Sequence, residues 1–277
     1  MPEQSELQLH KYEGLANDFL VLHAPGGTDE ELADLARAVC QRHLGFGADG
    51  LLLLGPPTGA GESFTFRLFN ADGSEAEMSG NGLRCLAHRA IDAGLVPGAP
   101  GCEFDVLTAA GQRRVSVRAW RGGQLWSATE MGRPKLSEGD LERCNIGHGQ
   151  LLVDVGNPHL VVLGPDPATV DVAALGPSLS AGAGAATGGL NVEFVCLGPG
   201  RDEVTMRVWE RGVGETQACG TGSVAAATAM HYWGRVGPKV TVRQPGGAAE
   251  VELRPEGTAV LVGPSRRIGR CVWASQI

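Results

Sequence analysis

Short runs of alternating or wholly apolar residues, closed by Gly, Pro or Asn, fill most of this 277-residue chain and predict strands. Phe64 to Phe69, Arg114 to Trp120, Gln150 to Val155, Asn191 to Cys196, Val204 to Trp209, Lys239 to Gln244 and Ala259 to Gly263 read this way, as do the apolar runs Phe19 to Leu22, Leu51 to Leu54 and Leu160 to Leu163. Three stretches carry helical spacing instead: Asp29 to Arg42, about Gly80 to Ala93, and about Gly220 to Trp233. The second has apolar residues at 83, 86, 87, 90 and 91, while Ser223 to Ala229 is small or apolar all round. A helix apolar on most faces must be enclosed. The Gly/Ala-rich stretch Ala181 to Gly189 reads as a mobile loop.

These elements repeat. Shifting the chain by 140 positions lays residues 66–96 on 206–236 without a gap, with Arg67 on Arg207, Glu75 on Glu215, Gly80 on Gly220, Gly82 on Gly222 and Gly94 on Gly234. The same shift lays Asn17 on Asn157, each followed by an apolar run. The pattern predicts an α+β fold of two pseudo-symmetric lobes, each a curved, mostly antiparallel sheet wrapped around a central helix. The N-terminal lobe is expected over residues 1–122, completed by a C-terminal strand at 268–277, and the other lobe over 123–267. Matching loops of such lobes face each other across a cleft, the expected active site.

Composition narrows the chemistry. The formal charge of −8 gives no electrostatic footing on nucleic acid. Met1 to His10 is polar and acidic, and no apolar stretch approaches the ~20 residues that span a bilayer, so no membrane association is expected and the protein is read as cytoplasmic. A homodimer is the default assembly. The seven cysteines (40, 85, 102, 144, 196, 219 and 271) are scattered and hold no C-x-x-C pair, against a disulfide framework or structural zinc. Most are expected to pack as small hydrophobes.

Cys219 differs because of where it lies. Both repeated helices begin from a Gly-x-Gly loop, Ser79-Gly80-Asn81-Gly82 and Cys219-Gly220-Thr221-Gly222. A helix start presents unpaired N–H groups and partial positive charge, suited to a carboxylate. There a thiol is expected to ionise more readily than usual, as base or nucleophile. Two matched groups aimed at one substrate suit stereoinversion, in which one removes a proton from carbon and the other delivers one. Nucleophilic hydrolysis has no use for that symmetry.

The blocks Asn17-Asp18-Phe19, Arg42 to Gly50, Asn70-Ala71-Asp72-Gly73-Ser74, Gly80-Asn81-Gly82-Leu83-Arg84-Cys85, Gly156-Asn157-Pro158-His159, Asn191-Val192-Glu193-Phe194, and Glu210-Arg211-Gly212 leading to Ala218-Cys219-Gly220-Thr221-Gly222 together resemble diaminopimelate epimerase, in order and spacing, from about residue 10 to the C-terminus. The resemblance implies a two-lobed epimerase that needs no metal, pyridoxal phosphate or nucleotide and interconverts LL- and meso-diaminopimelate in lysine and peptidoglycan synthesis. It implies that Cys219 is one acid/base thiol with Glu210 near it, and that His159 attends the other. It also implies that Asn17, Asn70, Asn157, Asn191, Glu210 and Arg211 read the polar groups of this small amino acid substrate, while Gly80-Asn81 and Gly220-Thr221 hold its reacting carboxylate. Gly45 to Gly50 spells G-x-G-x-x-G but follows a helix and precedes a strand, the reverse of the dinucleotide order.

Two positions depart from the family pattern. Ser79 stands where the family carries its second thiol, and Ala16 where it often has glycine. A hydroxyl is a far weaker acid than a thiol, so two-base catalysis is expected to be impaired. Three readings of Ser79 stay open: an engineered substitution, a natural serine–cysteine pair acting on this or a related amino acid, and a catalytically silent amino acid binding protein.

Overall fold

The computed structural model describes residues 6–23, 26–58, 63–137, 149–183 and 188–274. In chain order its elements are β1 (Glu6–Gly14), β2 (Asn17–His23), α1 (Asp29–Cys40), β3 (Gly50–Thr58), β4 (Ser63–Asn70), β5 (Glu75–Ala76), α2 (Gly80–Asp92), β6 (Glu103–Thr108), β7 (Gly111–Arg121) and β8 (Gln124–Gly132). There follow β9 (Lys135–Ser137), β10 (Gly149–Asp154), β11 (Pro158–Leu163), α3 (Val172–Ala183), β12 (Asn191–Leu197), β13 (Glu203–Glu210), β14 (Gly214–Thr216), α4 (Gly220–Tyr232), β15 (Lys239–Gln244), β16 (Gly247–Leu253) and β17 (Ala259–Ala274).

The chain forms two compact units, Met1–Thr129 with Pro264–Ile277, and Glu130–Gly263. The first boundary lies inside β8 rather than at residue 122, because the β7–β8 hairpin keeps residues 124–129 with the N-terminal unit. The second lies inside β17, whose later residues pair with β1 from Glu6↔Ala274 to Glu13↔Arg266.

In the N-terminal unit the sheet runs β1, β2, β3, β4, β6, β7, β8, and β17 pairs with both β8 and β1. The strands therefore close around α2. The pairs β1–β2, β3–β4, β6–β7, β7–β8 and β1–β17 are antiparallel, and β2–β3 and β4–β6 are parallel. Inside, α2 packs Leu83, Cys85, Leu86, Ala87 and Ala90 against Phe19, Val21, Leu52, Leu54, Phe66 and Val106. Outside, α1 packs on Leu20, Leu22, Leu51 and Leu53. Both faces of β2 and β3 are thus buried, which is why they read as unbroken apolar runs.

The C-terminal unit repeats the plan with β9 and β10, β11, β12, β13, β15, β16 and the start of β17, again antiparallel except β11–β12 and β13–β15. Here α3 covers Leu160, Val162, Val192 and Phe194, and the alternate residues of the same strands turn to α4. Helix α3 corrects the start of the loop reading of Ala181 to Gly189, since residues 181–183 form its last turn; residues 188–189 are not helical, and residues 184–187 lie outside the described ones, as does Cys144. Pro177 sits inside α3, and Gly176 lets the helix lie against the Trp209 ring.

Both central helices stop alike. Gly94 and Gly234 take positive φ (70° and 67°), and their N–H groups bond Ile91 O and His231 O at 2.9 Å. Leu95 and Arg235 bond back to Ala90 O and Met230 O, closing a Schellman-type cap in each half.

Candidate active site

In the N-terminal unit the site residues gather at the start of α2. Ser79 is the N-cap, and its Oγ accepts the Gly82 N–H at 3.0 Å. Gly80 and Asn81 open the helix and are buried. Asn81 donates to Asn17 Oδ1 (3.1 Å), and Asn17 donates to Asp49 Oδ2 (2.7 Å). Asn70 closes β4 opposite Gly50, next to Asp49, and donates to Ser74 Oγ (3.0 Å). The fully buried Arg84 holds this cluster from behind, donating to Asn81 Oδ1 (2.6 Å), Pro264 O (3.3 Å) and Gly80 O (3.4 Å). Burial pulls its guanidinium down to about 10.

In the C-terminal unit the same seat holds Cys219. Its Sγ accepts the Gly222 N–H at 3.3 Å and lies 3.4 Å from Thr221 Oγ1. Asn157 donates to Thr221 Oγ1 (3.4 Å), mirroring the Asn17–Asn81 contact. His159 is fully buried, with Nε2 at 3.0 Å from Asn157 Oδ1 and Nδ1 at 2.7 Å from Glu193 Oε1. Asn191, the register partner of His159, accepts the Arg211 N–H (2.9 Å), and Arg211 donates to Gly189 O (3.3 Å). Glu210 ends β13, where the Thr216 hydroxyl donates to it.

The electrostatics reverse one expectation. Cys219 does not rest as a thiolate: burial, and then the charges of Glu210 and Glu193, push its thiol well above the ordinary range, outweighing the hydrogen bonds of Thr221 and Gly222. The helix start is there, but a buried sulfur flanked by carboxylates keeps its proton. Burial likewise pushes the Glu210 carboxyl up, against hydrogen bonds from Thr216 and Cys219.

Ser79, Gly80 and Asn81, with Asn17 bonded to Asn81, thus gather at one helix start, and Cys219, Gly220 and Thr221, with Asn157 bonded to Thr221 and Glu210 acting on the sulfur, at the other. His159, expected beside the other acid/base group, is linked through Asn157 and Thr221 to Cys219. Asn70 lies at the end of β4, and Asn191 and Arg211 bond each other. Sequence reasoning assigned no role to Glu193, Gln244 or Arg84. Glu193 does leave a signal, a lone carboxylate inside the apolar strand β12. Arg84 leaves a similar one beside the apolar stripe of α2. Gln244, whose Oε1 accepts the Cys219 N–H at 2.7 Å, leaves none. Among the described residues no group of His, Cys, Asp and Glu side chains is set to hold a metal, and no helix is long and apolar enough to cross a membrane.

Each unit thus carries a Gly-x-Gly helix start with a proton-bearing side chain at its N-cap, and comparison with known proteins gives the class of protein that carries them. The family model for diaminopimelate epimerase matches residues 9–137 and 151–268. A diaminopimelate epimerase of Desulforudis audaxviator is 38% identical over 284 residues, covering 96% of this chain and 99% of the relative. One from Cyanothece sp. is 36% identical over 285 residues, covering 95% and 98%. A crystal structure of a hydroxyproline epimerase from Agrobacterium vitis shares the fold at a TM-score of 0.74 and 19% identity, covering 97% of this chain and 91% of that one. The chain belongs to the diaminopimelate epimerase family. It is accordingly an isomerase, an epimerase acting on a small amino acid.

Proposed function

We propose that this chain interconverts LL- and meso-diaminopimelate by proton transfer at the α-carbon, from Cys219 on one face and position 79 on the other. The observation that carries the reading is the equivalence of the two N-cap seats, each bonded to the N–H three residues on, in a chain of this family. The substrate carboxylate suits the partial positive charge of the helix starts at Gly80-Asn81 and Gly220-Thr221. An ammonium suits Glu210, and the guanidinium of Arg211 suits the distal carboxylate. Arrival of that ammonium offsets the Glu210 charge that keeps Cys219 protonated, so the thiol gives its proton up to water as substrate binds. Its thiolate then takes the α-proton, the Cα–H bond breaks, and the electron pair passes into the adjoining carboxylate.

Return of the proton decides the outcome. Cys219 can give it back to the face it came from, which exchanges the hydrogen without inversion. Delivery from the other face falls to the Ser79 hydroxyl, a much weaker acid than a thiol. Exchange of one stereoisomer should therefore outrun epimerisation, and Ser79→Cys should speed epimerisation by about 10²–10⁴-fold. The test is α-proton exchange in deuterated water followed by NMR, with LL- and meso-diaminopimelate supplied separately to both proteins. Exchange of one isomer by the parent and of both by the variant supports the reading; no exchange and no binding in either overturns it. A cytoplasmic homodimer is part of the same proposal.

A further inference from the structure

The internal repeat supplies its own control for the buried surroundings of Cys219. Register places Phe19 opposite Gly50 in one unit and His159 opposite Asn191 in the other, so Leu52 and Glu193, two residues along, are structural equivalents. Both lie against the third residue of their helix: a Cβ on Gly82 would meet Leu52 Cδ2 at 3.2 Å, and one on Gly222 would meet Glu193 Oε1 at 2.7 Å. Beneath Ser79 the pair is therefore Phe19 and Leu52, wholly apolar. Beneath Cys219 it is His159 and Glu193, both with no exposed side-chain surface. An apolar pair serves the fold, so the polar pair is there for something else.

The hydrogen bonds show what it serves. Asn157 donates Nδ2 to Thr221 Oγ1 and presents Oδ1 to His159 Nε2. Nδ1 of the same ring lies 2.7 Å from Glu193 Oε1. The line runs from Glu193 through His159, Asn157 and Thr221 to the Cys219 sulfur. Glu193 Oε2, also buried, has no hydrogen-bond partner among the described residues. The titratable groups around the sulfur are Glu193 on β12, Glu210 on β13 and, behind Glu193, His159 on β11.

We propose that Glu193 is a positioning residue for Cys219: paired with His159, it fixes the hydrogen-bonded line that orients the sulfur, and it sets a carboxylate directly beneath the helix start that carries it. This rests on Cys219 being the acid/base group of the reading above, but the test does not need turnover. The rate of Cys219 alkylation by iodoacetamide is followed against pH by mass spectrometry of the peptide that contains it, in the parent, in Glu193→Gln, and in the double variant His159→Phe/Glu193→Leu, which copies the pair of the N-terminal half. Thermal melts are taken in parallel.

Glu193→Gln should move the alkylation midpoint down by about one pH unit, which is about tenfold faster alkylation below the midpoint. The double variant should melt at or above the parent temperature and still show the lowered midpoint, which separates positioning from packing. Should Glu193→Gln fail to fold, the double variant carries the test. An unchanged midpoint in the folded variants overturns the proposal. So does a double variant that melts well below the parent, because the polar pair would then be structural. Failure of the diaminopimelate exchange assay with these shifts present would count against the proposed reaction and leave the role of Glu193 toward Cys219 standing.

Discussion

At the scale of single residues, the two departures from the family pattern have different physical weight. Ser79 keeps the cap that its backbone needs, because a hydroxyl accepts the Gly82 N–H as well as the Cys219 sulfur accepts that of Gly222. What it gives up is acidity. Ala16 is the reverse case, chemically silent but strained: Leu15 and Ala16 form the two-residue turn between β1 and β2, with φ of 59° and 61°. Left-handed backbone costs a residue with a Cβ roughly 1–2 kcal/mol, part of which glycine repays through its freer unfolded chain. Ala16→Gly should therefore raise stability by about 0.5–1 kcal/mol, read as a higher denaturation midpoint at unchanged slope. A loss of stability would show that the turn is not strained at this position.

At the scale of elements, the two central helices are one design in two packings. Gly82 and Gly222 both bring the first turn close to β3 and β12, but what they approach differs. A methyl on Gly82 meets a Leu52 methyl that can yield, whereas a methyl on Gly222 meets the Glu193 carboxylate, held by His159. Gly222→Ala should cost about 1–3 kcal/mol by overpacking, and Gly82→Ala markedly less. Thermal melts of the two variants check this, and equal losses would remove the distinction. The same contrast explains what was legible in the sequence. Strands β2, β3 and β11 announce themselves because burial on both faces demands apolar residues, and α2 and α4 because their Gly-x-Gly starts repeat. Helix α3 hid behind Pro177 and its Gly, Ala and Ser residues, since its cover over β12 and β13 needs only a few side chains such as Leu175 and Leu179. At the candidate site, residue types at the helix starts were readable in order, but the protonation of Cys219 was not. It depends on burial, on Glu210 and on Glu193, the last brought under α4 by a parallel strand pairing that no local pattern encodes.

At the scale of the whole molecule, the two units share a plan and differ in what they bury. The N-terminal unit holds His10 and His88 below their ordinary 6.5, in both cases chiefly by burial, with Arg89, Arg267 and Arg270 adding to the effect at His10. Such histidines bind protons more readily when unfolded, so the stability they confer is complete above the ordinary value and declines as pH falls through the lowered one, by up to about 1.4 kcal/mol per pH unit for the enclosed His88. Asp18, held below 3.8 by Lys11 and Arg42 although burial opposes them, extends the loss to lower pH. Glu210 in the C-terminal unit runs the other way: burial raises its carboxyl above 4.5, so its contribution is full below that value and is lost as pH rises through the raised one. Acidification from about pH 7 to about pH 5 therefore weakens the first unit while relieving the second. Hydrogen–deuterium exchange, corrected for intrinsic rate and read on peptides from α2 and α4, should show α2 losing protection first. Simultaneous loss, or earlier loss in α4, would mean that the two copies respond to acid as a single cooperative body and that the buried histidines do not govern where opening begins.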